Sequence, residues 1–362
     1  MGVNRTASVC LAGALAFGIA GLGTSAFAAD MAVKAPYKAP PQPEGLDVHG
    51  FLDFSFKNDY ITPRGLLVHN TGLATQILGG LVWDIYKSKT GFINGVSVYT
   101  YVWNDLWSKQ NDAHVGSWNE FDWAVGGVVK FADKWKLTVE YIEFLPPAHD
   151  LITSFPSIER NMEIGLFYDD SHWWGSTPFA INPYVKLFYE TSGPSTVVLG
   201  KHGAIYDVEL GIVPTYDFKK STGVALTVSA PTWITVGPSN YWNKNVFIAG
   251  DGSGSVANIT TRFFGGASNF CGPLSESACS TDSAGVFSTG LTGKLSLTPY
   301  VPQRLGSWYV KGGFQYYHII NDALLAAQMF TSAASKVANT YGTYQQTHRD
   351  VTVGFIGTGM TF

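Results

Sequence analysis

From Asp47 onward the chain alternates apolar and polar residues with a period of two, in blocks separated by turn-forming residues. In 203–214, Tyr206, Val208, Leu210 and Ile212 share one face and Asp207, Glu209 and Gly211 the other. In 307–318, Trp308, Val310, Phe314 and Tyr316 oppose Lys311, Gly313 and Gln315. In 135–141, Trp135, Leu137, Val139 and Tyr141 oppose Lys136, Thr138 and Glu140. Such blocks occupy 47–58, 72–86, 92–104, 118–131, 135–146, 159–169, 178–191, 203–217, 223–236, 286–299, 307–320 and 347–362. Their number is even, and each is long enough for a tilted bilayer crossing of about 9–11 residues. The pattern predicts an all-β fold, an antiparallel up-and-down transmembrane β-barrel of about twelve strands.

The links between blocks alternate in length. Short links fall at 87–91, 132–134, 170–177, 218–222 and 301–306, and long ones at 59–71, 105–117, 147–158, 192–202, 237–285 and 321–346. An outer-membrane barrel has this asymmetry, with short periplasmic turns and long outer loops. In that phase both termini are periplasmic. Aromatics gather near block ends: Trp83 and Tyr86, Trp103 and Trp107, Trp118, Trp135, Tyr189, Tyr216, Tyr300, Trp308 and Tyr317. They are expected to form two interfacial girdles. The chain closes on Phe362, at the end of an amphipathic strand. A terminal aromatic there resembles the C-terminal signal read by the barrel-assembly machinery of bacterial outer membranes.

The N-terminus fits export. Arg5 precedes a short apolar run from Cys10 to Ala20, and Ala26-Phe27-Ala28 is an A-x-A cleavage pattern, so 1–28 is expected to be a secretory signal peptide. Residues 29–46 carry prolines and lysines without an apolar period and are expected to be a periplasmic linker, with peptidoglycan as a candidate contact. The barrel would then span 47–362. Outside the signal the cysteines are Cys271 and Cys279, a pair expected to form one small disulfide loop in an oxidising compartment.

Composition narrows the function classes. The formal net charge of −4 argues against a nucleic-acid partner. Charged residues make up 14% of the chain, well below the roughly 25% of soluble domains, as expected where one strand face meets lipid. No Ser/His pair, phosphate-binding loop or metal-ligand spacing stands out, so no catalytic residue, cofactor or metal is expected and the chain is not read as an enzyme. His318 reads as a rim residue.

The informative polar residues are those that alternation turns away from lipid, where a Lys or Arg at the midplane would cost about 2–4 kcal/mol. They are Asp53, Asp84, Asp122, Glu140, Glu163, Asp207 and Glu209, with Lys130, Lys136, Lys186, Lys294 and Lys311. As pore-lining groups they would set up a transverse field that filters small polar solutes or ions, with cations slightly favoured. The alternative is a closed structural or adhesive barrel in which these charges cancel in pairs and the outer loops carry the function. About eight strands are filled by side chains and about 16–18 leave a channel, so twelve lies between. Two loops are candidates to gate: 237–285, with Trp242, Phe247, Phe263 and Phe264, and 321–337, which reads as a short capped helix with Leu324, Leu325 and Met329 on one face.

Several motifs resemble the TorF-type putative porins. After the first strand, Asn58-Asp59-Tyr60 with Arg64-Gly65 is similar to that family's Ser-Asp-Tyr followed by Arg-Gly. The Gly-containing second strand 76–83, Gly91-Phe92, Glu120-Phe121-Asp122 and 141–146 resemble later family segments. Asn58 stands where Ser is usual, and Pro63 precedes the Arg. Residues 35–41 also resemble the start of mature alphaproteobacterial outer-membrane proteins. The resemblance covers roughly 50–220 and implies a porin-like role in the outer membrane of a Gram-negative bacterium, without a substrate.

Overall fold

A computed structural model of the protein describes residues 46–362 apart from 66, 70–71, 110–116, 146–157, 193–205, 240, 243–281, 322–323 and 325–348. The strands are β1 (Asp47–Lys57), β2 (Tyr60–Ile61), β3 (Leu67–His69), β4 (Ala74–Lys87), β5 (Ile93–Trp107), β6 (Trp118–Phe131), β7 (Trp135–Leu145), β8 (Glu159–Tyr168), β9 (Phe179–Ala180), β10 (Pro183–Ser192), β11 (Tyr206–Ile212), β12 (Thr215–Asp217), β13 (Leu226–Ser229), β14 (Thr232–Val236), β15 (Ala284–Ser296), β16 (Ser307–Ile319) and β17 (Asp350–Thr361). All pairings are antiparallel between neighbours, and β1 pairs with β17, which closes the sheet into a twelve-strand barrel. The signal-peptide and linker expectations, and Cys271 and Cys279, lie outside the described residues.

Three crossings are split in two. β9 and β10, β11 and β12, and β13 and β14 are pieces of single strands, interrupted just before Pro183 and at Pro214 and Pro231. Proline has no N–H to give the ladder. The breaks lie side by side: Val213 N donates to Ile181 O at 2.8 Å and Ala230 N to Pro214 O at 2.8 Å.

The two faces separate as the alternation predicts. Leu81, Val102, Val125, Val139, Ile164, Val185, Leu210, Leu291, Val310, Phe314 and Ile356 are exposed on the outside. The inner face holds the buried polar groups. Trp118, Trp135, Tyr189, Tyr300 and Tyr86 are exposed near strand ends, as girdle residues would be. Trp103, Trp107 and Tyr317 are not: they are buried inside. β5 runs on to Trp107, so Trp103 and Trp107 share the inward face of Asp105.

Both chain ends of the barrel meet at the short-link side. Gly50 N donates to Phe362 O at 2.7 Å, and Phe362 N to Gly50 O at 3.0 Å. The Phe362 ring lies directly over Gly50, where a Cβ would sit 2.1 Å from it. The turn 132–134 holds Ala132 and Asp133 at positive φ (47° and 60°), and Asn94 fixes it by accepting from Asp133 N at 2.8 Å and donating to Asp133 Oδ1 at 2.7 Å. No helix among the described residues is long and apolar enough to cross a membrane, which says nothing of strands.

The link after β1 departs from expectation. An outer loop over 59–71 is predicted; instead its described residues turn inward. β2 and β3 form a small hairpin paired at Tyr60 with His69 and Ile61 with Leu67, and Tyr60, Ile61, Thr62, Arg64, Leu67 and Val68 are all buried. Apolar side chains at Tyr60, Ile61, Leu67 and Val68 gain more from the interior than from water.

Candidate functional site

The inward faces of the strands and the hairpin together build the site. Asp53, Asp84, Asp122, Glu140, Lys186, Asp207 and Glu209 are buried, and Glu163, Lys130, Lys136, Lys294 and Lys311 occupy inward positions of their strands. Each buried charge needs a partner to offset its desolvation. Lys311 Nζ lies 2.7 Å from Asp53 Oδ1. Lys186 Nζ lies 3.6 Å from Glu163 and 3.7 Å from Glu209. Lys136 sits over the Phe167 ring at 4.2 Å and Lys294 over Tyr309 at 3.9 Å, where the electron-rich face takes a cation.

Two tyrosines use one device. Tyr99 on β5 lies across Gly126 on β6 and donates to Glu140 on β7 at 2.8 Å. Tyr309 on β16 lies across Gly359 on β17 and donates to Asp53 on β1 at 2.5 Å. In each case the glycine and the acid are direct cross-strand partners, so the tyrosine bridges three strands. Any Cβ at Gly126 would lie 2.3 Å from the ring.

Along the axis the charges are unevenly shared, with exceptions at both ends: Asp84 is buried near the termini, and Lys57 closes β1 at the long-link end near Asp105. Lys130 and Lys136 pair across β6 and β7 beside a short link, and Lys294 and Lys311 pair across β15 and β16 toward the same end. Toward the long-link end stand Asp105, Glu120, Asp122, Glu159, Glu190 and Asp207, all buried. Asp122 and Glu120 stand against one another there, and Glu120 Oε2 also accepts from Tyr60.

Arg64 enters this acidic half from the hairpin. Its Nε donates to Asp207 Oδ1 at 2.9 Å, an Nη reaches Glu163 Oε2 at 3.4 Å, and its Cζ lies 3.6 Å above the Phe188 ring centre. The backbone that carries it is held by Trp233, whose Nε1 donates to Pro63 O at 3.2 Å, and by Tyr60, whose hydroxyl donates to Glu120 Oε2 at 3.3 Å. Alternation cannot reveal Arg64, since it lies on no barrel strand. Glu120, Glu159 and Glu190 were legible, two positions from Asp122, Asn161 and Phe188 on the same faces.

The predicted gating loops are described only at their edges. Tyr241 and Trp242 are buried, Trp242 Nε1 donating to Ser283 O at 3.0 Å. Leu324 is buried, its N–H bonded to Asn321 Oδ1 at 3.3 Å as a helix cap would be. Residues 240, 243–281, 322–323 and 325–337 of these loops lie outside the described residues.

Three further polar groupings stand apart from this half. Asp47, His49 and Asp84 converge near the termini with ligand-capable atoms within 4.8 Å of one another, and Lys87 already bridges the two carboxylates at 2.8 and 2.9 Å. No spacing in the sequence joins them, because Asp84 comes from the next barrel strand. On the outer face, Arg160 Nε donates to Glu143 Oε1 at 2.9 Å beside Tyr141 and Trp123, both of which also donate to Glu143. His318 sits on the rim and meets Asp350 at 2.8 Å.

No protein-family model matches the chain, and no curated protein matches it. The TorF-type resemblance therefore rests on the quoted residues alone. Similar solved structures include an outer membrane channel from Pseudomonas putida F1, at 9% identity over 91% of this chain and 99% of that one with a TM-score of 0.43. Pseudomonas putida OprB is similar at 8% identity over 88% and 94%, TM-score 0.35. A porin refined at 1.8 Å is similar at 10% identity over 88% and 100%, TM-score 0.28. These likenesses are too distant to carry a function across.

Proposed function

We propose that the protein is an outer-membrane channel of a Gram-negative bacterium, passing small polar solutes or ions by passive diffusion, with the β2–β3 hairpin as its internal constriction. The observation that carries this reading is the filling of the barrel. A structural barrel is most cheaply stabilised by packed apolar side chains, since buried ion pairs rarely improve on them. Here the interior is lined with ionisable groups and partly occupied by a hairpin on a chain link, which is no part of the wall. The apolar outer belt and exposed strand-end aromatics fit a bilayer. In the same reading 1–28 directs export, the termini are periplasmic, Phe362 is read by the assembly machinery, and the outer belt meets lipid.

A second reading is the closed structural or adhesive barrel acting through its outer loops. It is favoured by the pairing of Asp53 with Lys311 and of Lys186 with Glu163 and Glu209. Conductance in planar bilayers under a salt gradient separates the two. Discrete steps with a reversal potential support the channel. Silence from protein shown to be folded by heat-modifiable gel migration supports the closed barrel.

A further inference from the structure

We infer that the acidic half of the lumen is a binding site for guanidinium-bearing cationic solutes, and that Arg64 occupies it as a tethered stand-in. The inference rests on the channel reading for its route of entry, but the site itself is argued from Arg64. A guanidinium is planar, permanently charged and forked. It is matched by carboxylates in its plane and an aromatic face against it. The barrel wall supplies these around Arg64: Asp207 and Glu163 at its edge and Phe188 beneath it. Those three residues come from β11, β8 and β10, neighbouring strands of the rigid wall. The guanidinium comes from a link. Cage and occupant therefore belong to parts of the protein that can separate.

The cage also extends beyond its occupant. Asp122 and Glu120 are buried against one another, and Glu209, which accepts from Tyr184 and lies 3.7 Å from Lys186, is buried as well. Carboxylates so placed call for a cation or a proton. A solute with a guanidinium at one end and an amine at the other would find acceptors for both.

Agmatine, which has those two ends and no carboxylate, is the probe. Calorimetry on the purified, detergent-folded full-length chain compares the wild type with Arg64→Ala. We expect Arg64→Ala to bind agmatine at least about tenfold more tightly, and Asp207→Asn added to it to abolish the gain. Sodium glutamate should bind neither. Equal agmatine affinity with and without Arg64, or indifference to Asp207→Asn, overturns the inference. Should Arg64→Ala fold poorly, refolding yield with millimolar agmatine replaces the binding readout: recovery supports the site, and no recovery overturns it. Bilayer recordings of the same variants keep the two readings apart. Agmatine binding without any conductance leaves the site standing and sinks the channel. Conductance without agmatine binding or block leaves the channel standing and sinks the site.

Discussion

The indole nitrogen of Trp233, on the barrel wall, donates to the carbonyl oxygen of Pro63, at the tip of the inward hairpin, across 3.2 Å. The two residues are 170 positions apart. Trp233 is buried, so this bond is shielded from solvent. Trp233→Phe would keep an aromatic ring, though a smaller one, and remove the donor, leaving a buried acceptor at a cost of about 1–3 kcal/mol. Hydrogen exchange at the hairpin amides should then quicken about tenfold or more, with the amides of β5 and β6 unchanged. Equal acceleration in hairpin and wall would show that Trp233 supports the barrel rather than the hairpin.

The Tyr99–Gly126–Glu140 bridge gives a second test. Gly126→Ala places a methyl group where the Tyr99 ring now lies, so the ring must leave and its bond to Glu140 is lost. Such overpacking costs about 1–3 kcal/mol. The heat-modifiable transition should fall in Gly126→Ala and in Tyr99→Ala, and Gly126→Ala/Tyr99→Ala should be no lower than Tyr99→Ala alone. Additive losses in the double variant would refute the steric account.

Phe362 and Gly50 make a prediction about assembly rather than stability. The ring is 62% exposed, so its removal forfeits little buried area, yet it caps the seam where β1 meets β17. Phe362→Ala should lower the yield of folded barrel in cells several-fold while the barrels that do form melt within a few degrees of the wild type. An unchanged yield would remove Phe362 from assembly.

On the outer face, Glu143→Leu would strand Arg160 beside the bilayer, whereas Glu143→Leu/Arg160→Leu would remove both charges. Breaking such a pair costs more than deleting it. The single variant should therefore be the less stable of the two in urea titrations from lipid vesicles. The reverse order would mean that the pair is solvated at the rim and contributes little.

Why the strands were legible and the hairpin was not has one physical origin. Alternation reports which side of a sheet each residue faces, and every predicted block overlaps an observed crossing because lipid and lumen impose opposite demands on successive residues. In its described residues the hairpin is packed inside the barrel, away from lipid and bulk water alike. Its sequence, Tyr60 to His69, shows no period, and what draws Arg64 inward are Asp207 and Glu163, distant along the chain. Trp103 and Tyr317 were misassigned for a related reason. An aromatic near a strand end suits a bilayer interface, but parity with Asp105 and Gln315 turns these two inward.

The tyrosine bridges bear on the size of the bore. A tyrosine pointing at the axis would spend its length along the radius and narrow the passage. Tyr99 and Tyr309 instead lie along the circumference, each resting on a neighbouring glycine, so their bulk thickens the wall. Among the described residues, the β2–β3 hairpin shares the interior with Tyr241, Trp242 and Leu324. At the level of Tyr99 and Tyr309, the width of the barrel is set by the perimeter of the sheet rather than by the girth of its aromatic lining.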